Sequence, residues 1–508
     1  MLITLCNRAF KILLLSACLV LLAVHLSVPI NLTAVDIGRH IKNGELILNG
    51  YQDVLYKNFY SFTYPEYPFI NHHWLFGVIA YMAHRISGFV GLSVFYILLL
   101  VGAFLLAFDS ARRFSGFYFS LFLSTASFLF LICRPEIRPE GFSVFFLALD
   151  FWLLQCFLER RAGSRVLFWI IPLVQVLWVN IHIFFFMGPL LVGIFLWQAG
   201  LKKEDKQCKA ILGLLLWVVL FINLINPSGF EGMLTPLNGF KKFGYDLAEN
   251  QTVLFMIKRF PNNIVYKYYL LVAFFMMAGI IIALWQRRFK AMPWAVLGAF
   301  TTIASFKAVR LIMPFGFLFI PLASYFWAPY IKKSVISFIC AITTIAGIIS
   351  CVVFMPWRPQ IGLMPGVNVS AEFFKQSGLK GPVFSNYDIG GYLIYHLALK
   401  EKVFVDNRQE AFPYDFFRKV YIPMQEDPAV WKGAQNKYGF NVIYFYRHDI
   451  TPWGQAFLID RISDTQWAPV FADDYTVIFA RRGSVDQGII DRFELPMSMF
   501  RVVKNNAS

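Results

Sequence analysis

Long apolar runs separated by short polar connections fill the chain up to about residue 355. A helix needs about 20 apolar residues to cross the hydrocarbon core of a bilayer. The runs have this length or are slightly shorter. We therefore predict a polytopic α-helical membrane protein with about 11 transmembrane helices, at 12–33, 88–108, 115–133, 141–158, 166–180, 183–201, 210–225, 266–285, 291–306, 311–330 and 334–355.

The apolar stretch from 166 to 201 is too long for one span and is interrupted by a polar tripeptide. Asn180, Ile181 and His182 lie at its middle. Polar residues there indicate a turn at a membrane surface, since exposed polar backbone is not tolerated inside the bilayer. We predict two helices joined by a tight turn.

The pattern changes near residue 356, where short apolar runs alternate with polar turns. Short runs rich in Val, Ile, Phe and Tyr are typical of strands. We predict a transmembrane domain over 1–355 and a soluble α/β domain over 356–508. The predicted strands are 383–384, 402–405, 442–446 and 475–480, and the predicted helices are 390–397 and 414–423.

Lysine and arginine concentrate in every second connection. Short cytoplasmic loops carry an excess of these residues, so the pattern predicts a cytoplasmic N-terminus and an extracytoplasmic C-terminal domain. We predict an integral multi-pass protein of a bacterial inner membrane. The inner basic residues are Arg8, Lys11, Arg112, Arg113, Arg160, Arg161, Arg165, Lys202, Lys203, Lys206, Lys209, Arg287, Arg288, Lys290, Lys332 and Lys333.

Composition agrees with a membrane protein: 58% of the residues are hydrophobic, and the mean hydropathy is +0.58. The net charge is +16, but residues 356–508 hold 17 Lys+Arg against 16 Asp+Glu, so the excess belongs to the membrane half. This distribution favours a lipid bilayer as partner. We expect no nucleic-acid partner, because no basic–aromatic motif is present. The cysteines show no metal-ligand spacing, so structural zinc is not expected.

One polar and aromatic segment follows the first apolar run and has no counterpart downstream. We predict that residues 34–87 form an outer loop with surface helices at 37–50 and 74–87, which read as amphipathic. A second outer loop at 226–265 is long enough to form a lid over a site. The polar residues of the first loop that we single out are Asp36, His40, His72, His73 and Trp74.

The predicted orientation places the other polar clusters at outer helix ends too. Convergence on one surface suits an active site at the membrane–water boundary. It is less expected of a transporter, whose site lies near the midplane. Arginine matches phosphate oxygens, so the basic members are candidate phosphate ligands. The candidate binding residues are His40, His72, His73, Trp74, Arg134, Glu136, Arg138, Asn180, His182, Lys307 and Arg310.

Several of these residues also have a purely structural interpretation. Residues 134–140 can form a solvated ion-pair network, and His182 can be a satisfied polar residue at a turn. Lys307 and Arg310 can snorkel from a helix end. These alternatives stay open on sequence grounds.

Two carboxylates have competing interpretations as well. Asp36 is either a functional carboxylate or a helix-end residue that faces water. Asp150 lies near the middle of a predicted span, where a carboxylate suggests function. A buried hydrogen bond, for example with Gln175, explains Asp150 equally well.

The order of motifs resembles the GT-C glycosyltransferases, among them protein mannosyltransferases, the lipid A aminoarabinose transferase and oligosaccharyltransferase catalytic subunits. The likeness is greatest to uncharacterised bacterial members. It covers most of the chain, and each motif is weak alone. The motifs are Asp36-x3-His40-x3-Gly44, Ser61-Phe-Thr, Asn71-His72-His73-Trp74-Leu75, Arg134-Pro-Glu136, Trp178-x-Asn180-x-His182, Asn226-Pro, Asp388-x-Gly-Gly391 and Asp406-x-Arg408.

The resemblance implies transfer of a sugar from a polyprenyl-phosphate donor, with inversion at the anomeric carbon. Asp36 would be the general base, and Arg134, Arg138 and Arg310 would hold the departing phosphate. His40 and His73 would orient Asp36 or the acceptor. The mannosyltransferases carry an Asp-Glu pair where this chain has Asp36-Ile37, which leaves Mg²⁺ or Mn²⁺ dependence and the acceptor open.

Two other classes of function compete with this one. The chain could transport or flip an amphipathic anion, or it could be a non-catalytic membrane scaffold subunit. Asp36→Asn should abolish a transferase, whereas a transporter should depend more on Asp150 and a scaffold on neither.

Overall fold

The computed structural model describes residues 2–132, 134–238, 241–331, 335–354 and 359–501. Lys332, Lys333 and the predicted domain boundary between 355 and 356 lie outside the described residues. The chain forms two compact units. The first comprises Met1–Val28, Val90–Phe240 and Leu247–Ile361, and the second comprises Pro29–Phe89, Lys241–Asp246 and Gly362–Ser508.

The first unit is helical, as the apolar runs predict. Its long helices follow those runs because a helix satisfies its own backbone polar groups where no water is present. The α-helices with residues in this unit are Leu2–Leu26, Trp74–Ser115, Phe117–Ala126, Phe128–Ile132, Glu140–Leu158, Ser164–Ile181, Met187–Leu201, Lys206–Ile222, Gly229–Met233, Thr235–Asn238, Val253–Arg259, Ile264–Trp285, Met292–Lys307, Ile312–Trp327 and Val335–Phe354.

In the described part of the chain, 7 helical segments are long and apolar enough to cross a membrane. The protein is therefore a polytopic helical membrane protein. Other predicted spans coincide with shorter helices, such as Lys206–Ile222 and Met292–Lys307. The count of eleven spans stays a prediction.

Three helix breaks position polar residues. The first helix ends at Leu26, so the predicted extension to residue 33 is wrong; Pro29 lacks the N–H that a helix interior needs. Ser127 separates Phe117–Ala126 from Phe128–Ile132. The predicted turn is present at His182, whose backbone is extended (φ −158°, ψ 145°).

The second unit contains a four-stranded sheet. We label its strands β1 (Val383–Ser385), β2 (Val442–Tyr446), β3 (Trp467–Ala472) and β4 (Thr476–Arg481). The order is β1-β2-β4-β3; β1 pairs parallel with β2, and the other two pairings are antiparallel. The strands are buried on both faces along most of their length, so helices and loops cover the sheet on each side.

Helices of the second unit come from both ends of the sequence. The predicted strand at 402–405 is wrong: Val403 forms only isolated bridges, with Ser61 and with Val383. The predicted helix at 414–423 is divided into shorter turns, one of them a π-helix at Phe417–Tyr421. The α-helices are Ile37–Leu48, Asp53–Tyr56, the start of Trp74–Ser115, Val369–Ser377, Gly390–Leu397, Tyr414–Phe416, Pro423–Glu426, Pro428–Tyr438, Pro452–Ser463 and Gln487–Phe493.

Backbone hydrogen bonds join the first outer loop to the C-terminal residues. The Ile30 N–H donates to the Gly362 carbonyl at 2.8 Å, and the Val403 N–H donates to the Tyr60 carbonyl at 2.9 Å. The sequence did not predict this association. It places the segment around Asp36 in the same compact unit as the sheet.

Candidate active site

Asp36 immediately precedes the helix Ile37–Leu48, which a close helix crossing fixes in place. A Cβ on Gly44 would lie 2.1 Å from the Gly77 carbonyl oxygen of the helix that begins at Trp74. Only glycine permits such backbone contact. Gly44 therefore sets the position of the helix that carries Asp36 at its start.

The Asp36 carboxylate is held from the C-terminal part of the sequence. Asn407 Nδ2 donates a short hydrogen bond to Asp36 Oδ1. Arg39 Nε, one turn into the helix, donates to Asn407 Oδ1 at 3.0 Å. Asp36 is partly exposed, whereas Arg39 is buried. The carboxylate is thus fixed on one side and accessible to a ligand.

Asp388 is a second carboxylate of this site. It lies in the turn between β1 and the helix Gly390–Leu397, and a Cβ on Gly390 would lie 2.4 Å from Asp406 Cα. No described residue donates a hydrogen bond to its carboxylate. Burial, followed by repulsion from Asp449 and Asp36, raises the pKa of Asp388 to about 7. Two nearby carboxylates whose environments differ suit separate roles in proton transfer.

The raised pKa of Asp388 predicts a pH-dependent stability. The folded state binds this proton more tightly than the unfolded state, whose carboxyl titrates near 3.8, so the contribution of Asp388 to stability falls as the pH rises from about 4 to about 7. We expect Asp388→Asn to gain melting temperature over the wild type across that range and to keep a constant advantage above it. Thermal unfolding at pH 5 and pH 8 measures this. Asp474→Asn, at an exposed position, is the control, and equal pH dependence of Asp388→Asn and wild type would contradict the shift.

One histidine of the outer loop, His40, belongs to this helix, and two others lie next to it. The ring centroids of His40 and His73 are 5.6 Å apart, and those of His72 and His73 are 4.0 Å apart. His40 also packs on Phe76 and lies 3.5 Å from Arg39 Nη2. His40, His73 and Arg39 thus form one contiguous group next to Asp36. Trp74 begins the adjoining helix.

Asp406 and Arg408, which flank Asn407, form a buried ion pair. Arg408 Nη2 donates to Asp406 Oδ2 at 2.6 Å and to Asn58 Oδ1 at 2.9 Å. The guanidinium also lies over the ring of Phe69 at 4.8 Å. Both side chains are almost fully buried, so this pair anchors the segment rather than facing a substrate.

Three predicted phosphate ligands come together in the first unit around a carboxylate that the sequence analysis did not single out. Glu249 Oε2 accepts from Arg134 Nη2 at 2.6 Å and from Arg138 Nη1 at 3.2 Å. Arg310 Nη1 lies 3.9 Å from Glu249 Oε1 and donates to Asn250 Oδ1 at 3.0 Å. We call Arg134, Arg138 and Arg310 the arginine cluster.

The arginine cluster keeps Glu249 ionised. Burial alone would raise the pKa of Glu249, but attraction to Arg134, then Arg138, then Arg310 outweighs it and holds the pKa well below its usual range. Glu140 Oε1 also lies 4.0 Å from Arg134 Nη2, so the three guanidiniums face two carboxylates and exceed their charge by one. The cluster therefore has the charge and the donors to bind an anion.

The other predicted residues of the first unit have different surroundings. Asn180 Nδ2 donates to the carbonyls of Val176 and Ile225, each at 2.8 Å. His182 Nδ1 lies 2.8 Å from Ser143 Oγ. These contacts tie the turn to its surroundings.

Glu136 and Lys307 form no ion pair with any described residue, so neither side chain joins the arginine cluster in this way.

Asp150 is buried in its helix, and neither carboxylate oxygen has a hydrogen-bond partner among the described residues. Gln175 donates instead to the Phe185 carbonyl and to Asn223. The suggested Asp150–Gln175 hydrogen bond is therefore wrong.

Three residues of these sites were missed from sequence. Arg39 and Asn407 belong to the motif-bearing stretches around Asp36 and Asp406, but nothing in the sequence pairs them with each other or with Asp36. Glu249 lies in the loop 226–265 without any motif. The sequence feature that could have pointed to Asn407 is its place in Asp406-Asn407-Arg408, which follows a short apolar run.

The residues described do not form a ready site for a divalent metal. Within the described ranges, no group of three His, Cys, Asp or Glu side chains is placed to hold a metal ion. The described hydrogen-bond partner of the Asp36 carboxylate is the Asn407 amide nitrogen, whereas Mg²⁺ prefers several oxygen ligands. Dependence on Mg²⁺ or Mn²⁺ stays open, and the steps proposed below use side chains.

Comparison with known proteins relates the chain to solved structures. No protein-family model and no curated protein sequence matches it. The archaeal oligosaccharyltransferase AglB from Archaeoglobus fulgidus, in complex with an inhibitory peptide and a dolichol-phosphate, is similar with a TM-score of 0.56 and 11% identity over 93% of this chain and 75% of that chain. Its apo form has a TM-score of 0.58 at 11% identity, over 93% and 74%.

A second similar structure is ArnT from Cupriavidus metallidurans bound to undecaprenyl phosphate. Its TM-score is 0.50 at 14% identity, over 94% of this chain and 98% of that chain. The chain has the fold of the GT-C glycosyltransferases. The resemblance indicated by the sequence motifs is therefore confirmed at the level of the fold. At identities of 11% and 14% the similarity concerns the fold alone, so the activity has to be argued from the residues of this chain.

Proposed function

We propose that the chain is a membrane glycosyltransferase that moves a sugar from a polyprenyl-phosphate donor to a lipid, glycan or protein acceptor at the outer membrane surface. The observation that carries this proposal is the Asp36 carboxylate, partly exposed and fixed on one side within a GT-C fold. Such donors are apolar at one end and anionic at the other. Their cleavable bond therefore lies at the membrane–water boundary, where the predicted orientation places Asp36.

Asp36 acts as the general base in this proposal. The acceptor hydroxyl attacks the anomeric carbon, the bond from that carbon to the phosphate oxygen breaks, and Asp36 takes the hydroxyl proton. Attack opposite the departing phosphate inverts the configuration. His40, in the helix that Asp36 precedes, and the neighbouring His73 are proposed to orient the acceptor.

The arginine cluster is proposed to bind the phosphate of the donor and of the departing polyprenyl phosphate. Arginine donors match phosphate oxygens, and fixed positive charge stabilises the charge that develops as the bond breaks. The similar structures were solved with dolichol-phosphate and undecaprenyl phosphate. These ligands support a polyprenyl phosphate as the partner.

Mass spectrometry of polyprenyl-phosphate sugars and envelope glycans tests the activity. Cells lacking the protein are compared with cells that carry the wild type. The proposal expects a lipid-linked sugar to accumulate in the deletion and one glycan to lose that sugar. Unchanged lipid-linked sugars and unchanged glycans would contradict it and favour a scaffold.

Glu249 should compete with phosphate for the arginine cluster. We expect Glu249→Gln to bind undecaprenyl phosphate on the order of tenfold more tightly, because removing one adjacent charge changes the interaction by about 1–4 kcal/mol near a surface. Native mass spectrometry of the protein with undecaprenyl phosphate measures this. Glu159→Gln, which removes a carboxylate paired with Arg113 and Arg161, is the matched control. Weaker binding by Glu249→Gln would show that Glu249 only holds the arginines in place.

A further inference from the structure

Asn407 lies between the proposed base and a buried arginine. Its carboxamide oxygen accepts from Arg39 Nε at 3.0 Å, and its carboxamide nitrogen donates to Asp36 Oδ1. Asp36 and Arg39 belong to the first outer loop, whereas Asn407 lies 371 positions from Asp36 in the sequence. The three side chains form one connected chain of hydrogen bonds.

The direction of both hydrogen bonds is fixed by chemistry. A guanidinium has only donors and a carboxylate has only acceptors. Asn407 must therefore turn its oxygen towards Arg39 and its NH₂ group towards Asp36. A reversed amide would place donor against donor and acceptor against acceptor, so Arg39 locks the orientation of Asn407.

The Asn407 backbone is fixed by its neighbours. Asp406 and Arg408 form the buried ion pair on either side. On the helix Gly390–Leu397, a Cβ on Gly391 would lie 3.1 Å from Asn407 Nδ2, so the carboxamide is closely packed. A side chain held in this way can fix the geometry of the group to which it donates.

Asn407 engages one oxygen of the Asp36 carboxylate. Oδ1 accepts from Asn407, while no described residue donates a hydrogen bond to Oδ2. A base held by a third group, with its reactive atom left open, is the arrangement that orients nucleophile–base pairs in other enzymes. The open atom of Asp36 is the one that can reach a substrate proton.

We propose that Asn407 is a positioning residue: oriented by Arg39, it holds Oδ1 of Asp36 so that Oδ2 faces the acceptor hydroxyl. This inference rests on the proposed function and deepens it. It gives the C-terminal part of the chain a role in the transfer step, through a residue that does not itself contact the reacting atoms.

The test compares two asparagines of the same unit. Asn441 is also partly exposed and donates one hydrogen bond, to the Gly381 carbonyl at 2.8 Å. We expect Asn407→Ala to lower turnover of the accumulated lipid-linked sugar, in membranes of cells lacking the protein, by about 10²-fold, the cost of misplacing a reacting group by about 1 Å. Asn441→Ala should keep wild-type turnover. Affinity for undecaprenyl phosphate, measured by native mass spectrometry, should be unchanged in both.

A second variant guards against loss of folding. Asn407→Leu is close in size and uncharged but cannot donate to Asp36. It should lose turnover as Asn407→Ala does, while its melting temperature stays close to that of the wild type because the Asp406–Arg408 pair still anchors the segment. Turnover by Asn407→Leu equal to that of Asn441→Ala would overturn the inference. A parallel loss of undecaprenyl phosphate affinity and turnover would also overturn it, since a positioning residue changes the rate alone.

Asp36→Asn, measured in the same membranes, separates this inference from the proposed function. If Asp36→Asn is inactive while both Asn407 variants turn over normally, only the positioning role fails. If Asp36→Asn retains full turnover, the assignment of the base fails and the role of Asn407 fails with it.

Discussion

Asp36→Asn should reduce sugar transfer by about 10²–10⁴-fold, the usual contribution of a positioned general base. The substitution keeps the size of the side chain and removes its ability to take a proton. The measurement is clearance of the accumulated lipid-linked sugar and recovery of the glycan in cells lacking the chromosomal copy. The variant should behave like the deletion, although its melting temperature stays close to that of the wild type.

Asp53→Asn is the matched control for this prediction. Asp53 belongs to the same outer loop, is exposed and lies 4.0 Å from Lys57. Exposed pairs of this kind contribute at most about 1 kcal/mol, so transfer should be unchanged. Full complementation by Asp36→Asn would exclude Asp36 as the base and would shift attention to Asp150 and a transport function.

Local periodicity was sufficient for several elements around the site. The helix predicted at 37–50 is present as Ile37–Leu48, and the strand predicted at 442–446 has those bounds. The strand is a short continuous apolar run, which predicts a strand buried on both faces, and its burial agrees with this. The order of the motifs along the chain was sufficient to predict the fold.

Strands that depend on distant partners could not be predicted in the same way. β3 was missed because Pro469 lies inside it, and proline is confined to edge strands or bulges. β3 is indeed at the sheet edge, with a register shift between Pro469 and Phe471. Residues 402–405 have an apolar pattern but lack a continuous ladder, so a strand prediction there was wrong.

Partners that are distant in the sequence could not be predicted at the two sites either. Sequence reasoning identified Asp36 and the three arginines as residue types suited to the reaction. It could not identify Asn407 or Glu249, because a hydrogen-bond partner 371 or 115 positions away leaves no periodic signal. The residues that set the orientation and charge of a site are therefore found only from the three-dimensional contacts.

The adjacent residues of the motif Asp406-Asn407-Arg408 have different surroundings and different expected roles. The backbone bends at Asn407, and the Arg408 N–H donates to Asp406 Oδ1 at 3.1 Å. Asp406 and Arg408 are turned into the interior of the unit, whereas Asn407 is partly exposed and contacts Asp36. We expect the outer two residues to govern stability and the central one to govern turnover.

Asp406→Ala should destabilise the second unit by about 3–5 kcal/mol, the usual cost of breaking a buried ion pair by removing one partner. The Arg408 guanidinium would remain buried with Asn58 and the rings of Tyr60 and Phe69 but without its ion-pair partner. Thermal unfolding of the purified full chain measures the loss. Asp415→Ala, which breaks an exposed 2.8 Å pair with Lys419, should cost no more than about 1 kcal/mol.

The double variant Asp406→Leu/Arg408→Met distinguishes charge from packing. Replacing both partners of a buried pair by apolar residues is often neutral, so the double variant should regain much of the melting temperature that Asp406→Ala loses. A loss in Asp406→Ala no greater than in Asp415→Ala would contradict the anchoring role. Recovery of stability without recovery of transfer would show that the anchor must also hold Asn407 in register with Asp36, which ties the stability of this segment to the geometry of the proposed base.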